Sequence, residues 1–230
     1  MKLKQYIIQI DTATEVCSVS INREGIMLDH IQSDEPNMHA SRLTVYVEQL
    51  LSRNSLQFSD IAAIAVSMGP GSYTGLRIGV STAKGLCYAL DIPLIGINTL
   101  ESMYNGLSRE VKLNADSLYL PMIDARRMEV YTMVFNAEGK QVLPTQAKII
   151  DEFSFTEFQE KKVFLFGSGA GKFKELFDVN PQVNIISTFQ HSSGHMSTLA
   201  WQRFTTQEFE NLIYFEPYYL KEFVASVPKR

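Results

Sequence analysis

The sequence has little of what would place a protein outside a reducing, aqueous compartment. Only two of its 230 residues are cysteine, Cys17 and Cys87. Both sit among apolar neighbours, so the pattern reads as buried free thiols and offers no disulfide framework. No stretch approaches the roughly 18 apolar residues that cross a bilayer, so a membrane role is not expected. The basic opening leads into an apolar run at 6–10 that Gln9 interrupts and Asp11 ends, unlike an export signal, and the expected location is the cytoplasm. Strong charge of one sign is also lacking: 21 Lys and Arg stand against 25 Asp and Glu, a net charge of −4. A field this weak and of this sign does not grip RNA or a lipid surface by itself. Low-complexity runs and solenoid repeats are missing as well.

What is present is an ordinary globular composition, 45% apolar and 20% charged, enough to build real cores. Strand-like runs at 6–10, 17–21 and 25–31 open the chain. A helix is expected over 38–52, capped by Asn37, with Leu43, Val47, Leu50 and Leu51 at helical spacing. The continuous apolar run 61–67 suits a buried parallel strand; a loop, a helix over 74–90 and a strand at 93–96 follow. This order gives crossover units in a mixed sheet covered by helices, an α/β protein. The polar stretch 105–114 reads as a crossing between domains. A hairpin (118–124 with 129–135), a strand over 141–150, a short helix near 152–159, an apolar strand at 163–166 and a last helix near 193–204 complete the pattern. Two related lobes facing across a cleft are compatible with it.

The most informative segment is GPGSYTGLRIG, from Gly69 to Gly79, between the buried strand and its helix. Gly69, Pro70, Gly71, Ser72, Tyr73, Thr74, Gly75, Arg77 and Gly79 carry it. Glycines in such a turn permit a backbone cradle for an anion, or they permit tight packing of helix on strand; both readings stand. The third glycine, Gly75, falls one place late for a dinucleotide loop, and no Gly-Lys-Ser/Thr follows. A second cluster, FGSGAGK at 166–172, imitates a phosphate loop but has Phe166 in place of its first glycine and Phe173 in place of the hydroxyl residue. It reads as a turn onto a helix start. His191 and His195 have the spacing of metal ligands on a helix, but Gly194 and the capping serines Ser192 and Ser193 place them across a helix start. With no third ligand nearby, a structural role is the better reading. Asp11 and Asp124 end strands where α/β proteins hold metals or phosphates, and turn formation explains them equally well.

At GPGSYTGLRIG the sequence resembles the signature of the TsaB (YeaZ) family. Other pieces match in order: I-D-T-A-T at 10–14, H-x-x-x-L at 39–43, D-A-R-R-x-E-V-Y at 124–131, the glycine turn at 167–171 and P-x-Y-L at 217–220. The resemblance implies an actin/Hsp70-like (ASKHA, ribonuclease H-like) fold with a reduced second lobe. It places the first lobe at 1–105, rejoined by the tail 214–230, and the second at 106–213. It also implies a non-catalytic subunit that activates TsaD, the enzyme that forms N6-threonylcarbamoyladenosine beside the tRNA anticodon. TsaD carries two metal-binding histidines on the first helix; here His39 is kept and Leu43 replaces the second, so no metal site is expected. Association is then expected through the two helices, with Arg42, Tyr46, Val47 and Leu50 on the first and Arg77, Ser81, Lys84 and Tyr88 on the second. A homodimer in isolation, TsaE as a third partner, indirect contact with tRNA, and ATP and metal confined to the partner subunits follow from the same resemblance. Two other functions are open to comparison. A stand-alone ATP-dependent kinase or hydrolase of this superfamily would need paired acidic residues on facing strand ends, such as Asp11 and Asp124, to hold magnesium, and two intact phosphate loops. A protease would need a zinc motif or activated nucleophile, and none can be built.

Overall fold

The computed structural model describes residues 5–34, 39–158 and 160–221, with only the backbone of 39–41. Ten strands form two five-stranded mixed sheets. The first holds β1 (Tyr6–Asp11), β2 (Cys17–Arg23), β3 (Ile26–Ser33), β4 (Ile61–Gly69) and β5 (Leu94–Asn98), in the order β3-β2-β1-β4-β5. The second holds β6 (Ser117–Asp124), β7 (Glu129–Asn136), β8 (Gln141–Ile149), β9 (Lys162–Phe166) and β10 (Val183–Ile186), in the order β10-β9-β6-β7-β8. Both are wired alike. The first three strands form an antiparallel meander, and the last two add in parallel on the other side of the first strand. The chain therefore repeats one topology twice, which is the actin/Hsp70-like arrangement.

Four helices are built on this frame: α1 (His39–Arg53), α2 (Tyr73–Leu90), α3 (Thr99–Glu110) and α4 (Ser197–Thr205). The run IAAIAVSMG of β4 is buried on both faces, as a central parallel strand must be. Its Ile64 and Val66 join Leu43, Val47, Leu50, Val80 and Ala83 in a core under α1 and α2. The alternate residues Ala63 and Ala65 join Ile7, Ile95 and Ile97 against Met196 and Ala200, at the start of α4 and within it. The two-residue period of a strand thus assigns each residue to one helical layer.

Two features differ from the sequence reading. The polar stretch 105–114 is not a bare crossing: α3 runs to Glu110, capped by Asn98, whose side chain accepts from the amides of Leu100 and Glu101. Leu100, Met103, Tyr104 and Leu107 recur at helical spacing and fill a core shared with Tyr119, Phe135 and Phe166 of the second sheet. The polar residues only cover the outer side of that helix. The helix expected near 193–204, counted with residues 106–213, packs instead on the first sheet, where Arg203 donates to the Gly96 carbonyl and to Glu101.

The second lobe is the smaller one. The crossovers that in the first lobe carry α1 and α2, of 15 and 18 residues, carry here only three-residue 3-10 turns, Thr156–Phe158 and Gly171–Phe173. Phe155, Phe173 and Phe177 fill the space beside β6 and β9. After α4 the chain returns along the first lobe. The Glu210 amide donates to the Leu94 carbonyl, Phe215 enters the first core, and the Tyr218 amide donates to the Met68 carbonyl. Residues 222–230 of the tail lie outside the described residues.

Candidate functional site

The signature turn is a packing device. Ser72 caps α2, its hydroxyl accepting from the Gly75 amide at 3.2 Å, and its own amide donates to the Ala13 carbonyl at 2.7 Å. The Thr12 hydroxyl donates to the Gly75 carbonyl at 2.7 Å. The first two turns of α2 thereby lie directly on the turn between β1 and β2. A Cβ at Gly71 would strike the Ala13 carbonyl, one at Gly75 the Thr12 carbonyl and one at Gly79 the Thr12 hydroxyl, all well inside the 3.0 Å that real Cβ contacts keep. Gly69, at a φ of +115° and joined to Pro70 by a cis bond, packs against the Tyr218 carbonyl. Of the two readings of these glycines, helix-on-turn packing is the one the contacts show, and the Ser72 and Gly75 amides are bonded within the chain.

Both strand-end aspartates are neutralised. Asp11 is buried and lies 2.7 Å from Nε2 of buried His191, while the Ala13 amide donates to its other oxygen at 3.0 Å. Burial pushes the Asp11 carboxyl up, yet the His191 charge and the hydrogen bonds from His191, Ala13 and Ser67 outweigh it and hold the group below its ordinary value. Asp124 is bridged at 2.5 Å by Lys172, which also donates to the Glu129 carbonyl. The lysine of the FGSGAGK segment is therefore a clamp on the β6–β7 hairpin, and the helix start expected there is only the Gly171–Phe173 turn. His195 faces Glu110 at 3.2 Å, away from Asp11, with the two imidazole centroids 5.7 Å apart. The pair straddles the 3-10 turn Ser193–Met196, as the capping serines imply. Leu43 is sealed in the core and the His39 side chain lies outside the described residues. Among the described residues no three potential ligands cluster for a metal. Asp11 and Asp124, the two carboxylates that magnesium would need, are each already paired within the chain, Asp11 with His191 and Asp124 with Lys172.

The partner-facing residues expected from the sequence lie on α1 and α2. Here the sequence reading needs correction. Tyr46, Val47 and Leu50 are 9%, 1% and 0% exposed and belong to the chain's own core. With Leu43 they form the i, i+3, i+4, i+7 stripe that the first sheet covers. Arg42, Arg77, Ser81 and Tyr88 do reach solvent, while Lys84 is half-buried and donates to the Ile213 and Phe215 carbonyls of the tail. Two members of this surface escaped the sequence. Gly85 faces open space among the described residues, with no atom beyond its own helix backbone within 4 Å of a Cβ built on it. Tyr219 of the tail packs at a tilt 5.0 Å from Tyr73, and its hydroxyl accepts from Nε of Arg77, whose guanidinium lies 4.3 Å over the Tyr73 ring. The helical period could have drawn attention to Gly85, but nothing local joins residues 142 positions apart.

A family model described as "TsaD: tRNA N6-adenosine threonylcarbamoyltransferase" matches residues 34–225. The tRNA threonylcarbamoyladenosine biosynthesis protein TsaB of Bacillus subtilis (strain 168) is 30% identical over 201 residues, 85% of each chain. The chain belongs to the TsaB (YeaZ) family. The TsaB of Escherichia coli (strain K12) is 40% identical over 125 residues, 54% of this chain; the matched stretch spans only 52% of that protein. The structure of YeaZ from Pseudomonas aeruginosa superposes with a TM-score of 0.74 at 26% identity, over 94% of this chain and 100% of that one. In this TsaB-family chain the duplicated fold is kept, with Asp11 paired to His191 and Asp124 to Lys172.

Proposed function

We propose that this chain is a non-catalytic, activating subunit in the formation of N6-threonylcarbamoyladenosine in tRNA, pairing with a TsaD-type transferase through the outer face of α1 and α2. The observation that carries the reading is the exposed face of α2. Tyr88 stands 83% exposed on it, three residues after Gly85, which none of the described residues crowds. A mid-helix glycine costs about 1 kcal/mol relative to alanine, and here no internal contact requires it. A facing helix does, because a missing Cβ lets two helix backbones approach closely while a neighbouring aromatic ring supplies buried area. The clamped Asp11 and Asp124 support the non-catalytic part, and the names of the relatives support the tRNA pathway.

On this reading the same face pairs two copies of the chain in isolation and exchanges them for the transferase. TsaE joins at the junction, ATP and metal are bound by the partners and not by this chain alone, and the work is done in the cytoplasm. Light scattering after size exclusion tests it, with the chain alone and mixed with the TsaD of its own organism. A self-dimer that dissolves into a one-to-one heterodimer is expected, and Tyr88→Asp weakens the heterodimer at least tenfold without lowering the melting temperature. A chain that ignores TsaD, or a Tyr88→Asp variant that pairs as the parent does, refutes the proposal.

A further inference from the structure

The motif D-A-R-R-x-E-V-Y contributes more than a clamp. The β6–β7 hairpin turns at Arg126 and Arg127, and both hold left-handed backbone, with φ of +72° and +52°. For a residue with a Cβ this region is unfavourable, and hairpin tips that need it normally take asparagine or glycine. Two consecutive arginines there mean that the side chains are kept at a cost to the backbone, the kind of local strain that marks a functional position. Both are exposed, and among the described residues neither guanidinium has a hydrogen bond or ion pair. Among the described residues the neighbouring cations Lys172 and Lys221 are engaged by Asp124 and Glu129, which leaves the two adjacent guanidinium groups as the unpaired cations of the turn there.

The tip is also continuous with the α2 surface. Tyr219 packs at a tilt against Tyr73 and is bonded to Arg77, and Lys221 reaches Glu129 beside the turn. The Cα atoms of Tyr219 and Lys221 are two residues apart along the chain, at most about 7 Å. A stripe thus runs from Arg77 with its two tyrosines to the paired arginines, cationic groups interleaved with aromatic ones on a chain of net charge −4. An acidic chain touches a polyanion only through such a local patch, and planar guanidinium forks on a convex tip fit phosphate oxygens.

We propose that Arg126 and Arg127 contact the phosphate backbone of the tRNA that the assembled complex holds, an inference that rests on the function proposed above. The test compares the parent with the double variant Arg126→Asn, Arg127→Gly, which removes both charges and supplies residues suited to left-handed backbone. Each is mixed with its TsaD and titrated with unmodified tRNA transcript from 50 to 200 mM salt. The expected result is a melting temperature no lower than the parent's, an unchanged heterodimer by light scattering, tRNA affinity at low salt reduced on the order of tenfold, and a salt slope shallower by about 1.4 for two lost phosphate contacts. Equal affinity and slope overturn the proposal. So does a heterodimer lost in the variant with the tRNA slope unchanged, because the arginines would then grip carboxylates of the partner protein. If the parent forms no heterodimer, the proposed function fails on that measurement, while the slope comparison made on the chain alone still decides the role of the arginines.

Discussion

Gly75 and Gly85 sit ten residues apart on α2, and replacing each by alanine should move stability in opposite directions. In an open helix the change gains about 1 kcal/mol. Among the described residues Gly85 has nothing beyond its own helix backbone within 4 Å of its Cβ position, so Gly85→Ala should show that gain. At Gly75 the new methyl would meet the Thr12 carbonyl, with the Ser72 Cβ 3.3 Å away. To admit it, the first turn of α2 must lift from the β1–β2 turn, which breaks the Ser72 amide to Ala13 and Thr12 hydroxyl to Gly75 hydrogen bonds, both 2.7 Å. Two such bonds contribute about 2 kcal/mol together, and overpacking adds about 1–3 kcal/mol. Less the helix gain, Gly75→Ala should cost about 2–4 kcal/mol, a large part of the roughly 5–15 kcal/mol that holds a domain folded. Urea unfolding gives the answer directly, since an altered midpoint at unchanged slope is a stability change. A Gly75→Ala variant within about 0.5 kcal/mol of the parent would show that the signature glycines are not there for packing, and a destabilising Gly85→Ala would contradict the open face on which partner docking is argued.

Two further outcomes depend on buried charge. Burial first, and the neighbouring His191 second, hold the His195 imidazole down at about 4, against an ordinary 6.5. Between those values the unfolded chain binds a proton that the folded chain refuses, so stability should fall as pH drops from 6.5 towards 4, by up to about 3 kcal/mol. The Asp11 carboxyl, depressed below 3.8, adds its loss only at lower pH. Urea midpoints at pH 7, 5.5 and 4.5 measure the first effect, and a pH-independent midpoint in that window would refute it. Asp11→Ala leaves Nε2 of the buried His191 without its hydrogen-bond partner and should cost about 1–3 kcal/mol. Thermal melts with and without magnesium-ATP check this: a parent stabilised by the nucleotide, with Asp11→Ala losing that response and little else, would mean the aspartate serves a ligand and not the fold.

Much of the fold was legible because its local signals agree with its burial. The apolar run of β4 and the helical spacing in α1 and α2 matched elements found within a few residues of their expected ends. α3 was hidden because the window 105–114 holds only one of the large apolar residues that bury it, Leu107, while Leu100, Met103 and Tyr104 lie before that window. β10 was missed for want of length, four residues with only Val183 buried. The choice of Tyr46, Val47 and Leu50 as partner-facing failed for a general reason. An apolar stripe has the same spacing whether its own sheet or another protein covers it, and only the packing of α1 on the first sheet tells which.

The sequence by itself determined the class of fold, most of the strands, the helices α1 and α2, and the family resemblance, because those depend on periodicity and on short contiguous motifs. The tertiary structure decided what no local pattern encodes. It brought His191 to Asp11 across 180 residues and Lys172 to Asp124 across 48, converting two candidate metal carboxylates into internal ion pairs. It laid the glycines of the signature on the β1–β2 turn, left Gly85 and Tyr88 facing solvent, and tied the tail over both lobes. Contacts between distant segments are made by the closing of the whole chain, and a group's charge, burial and availability are set by whichever partner that closing brings beside it.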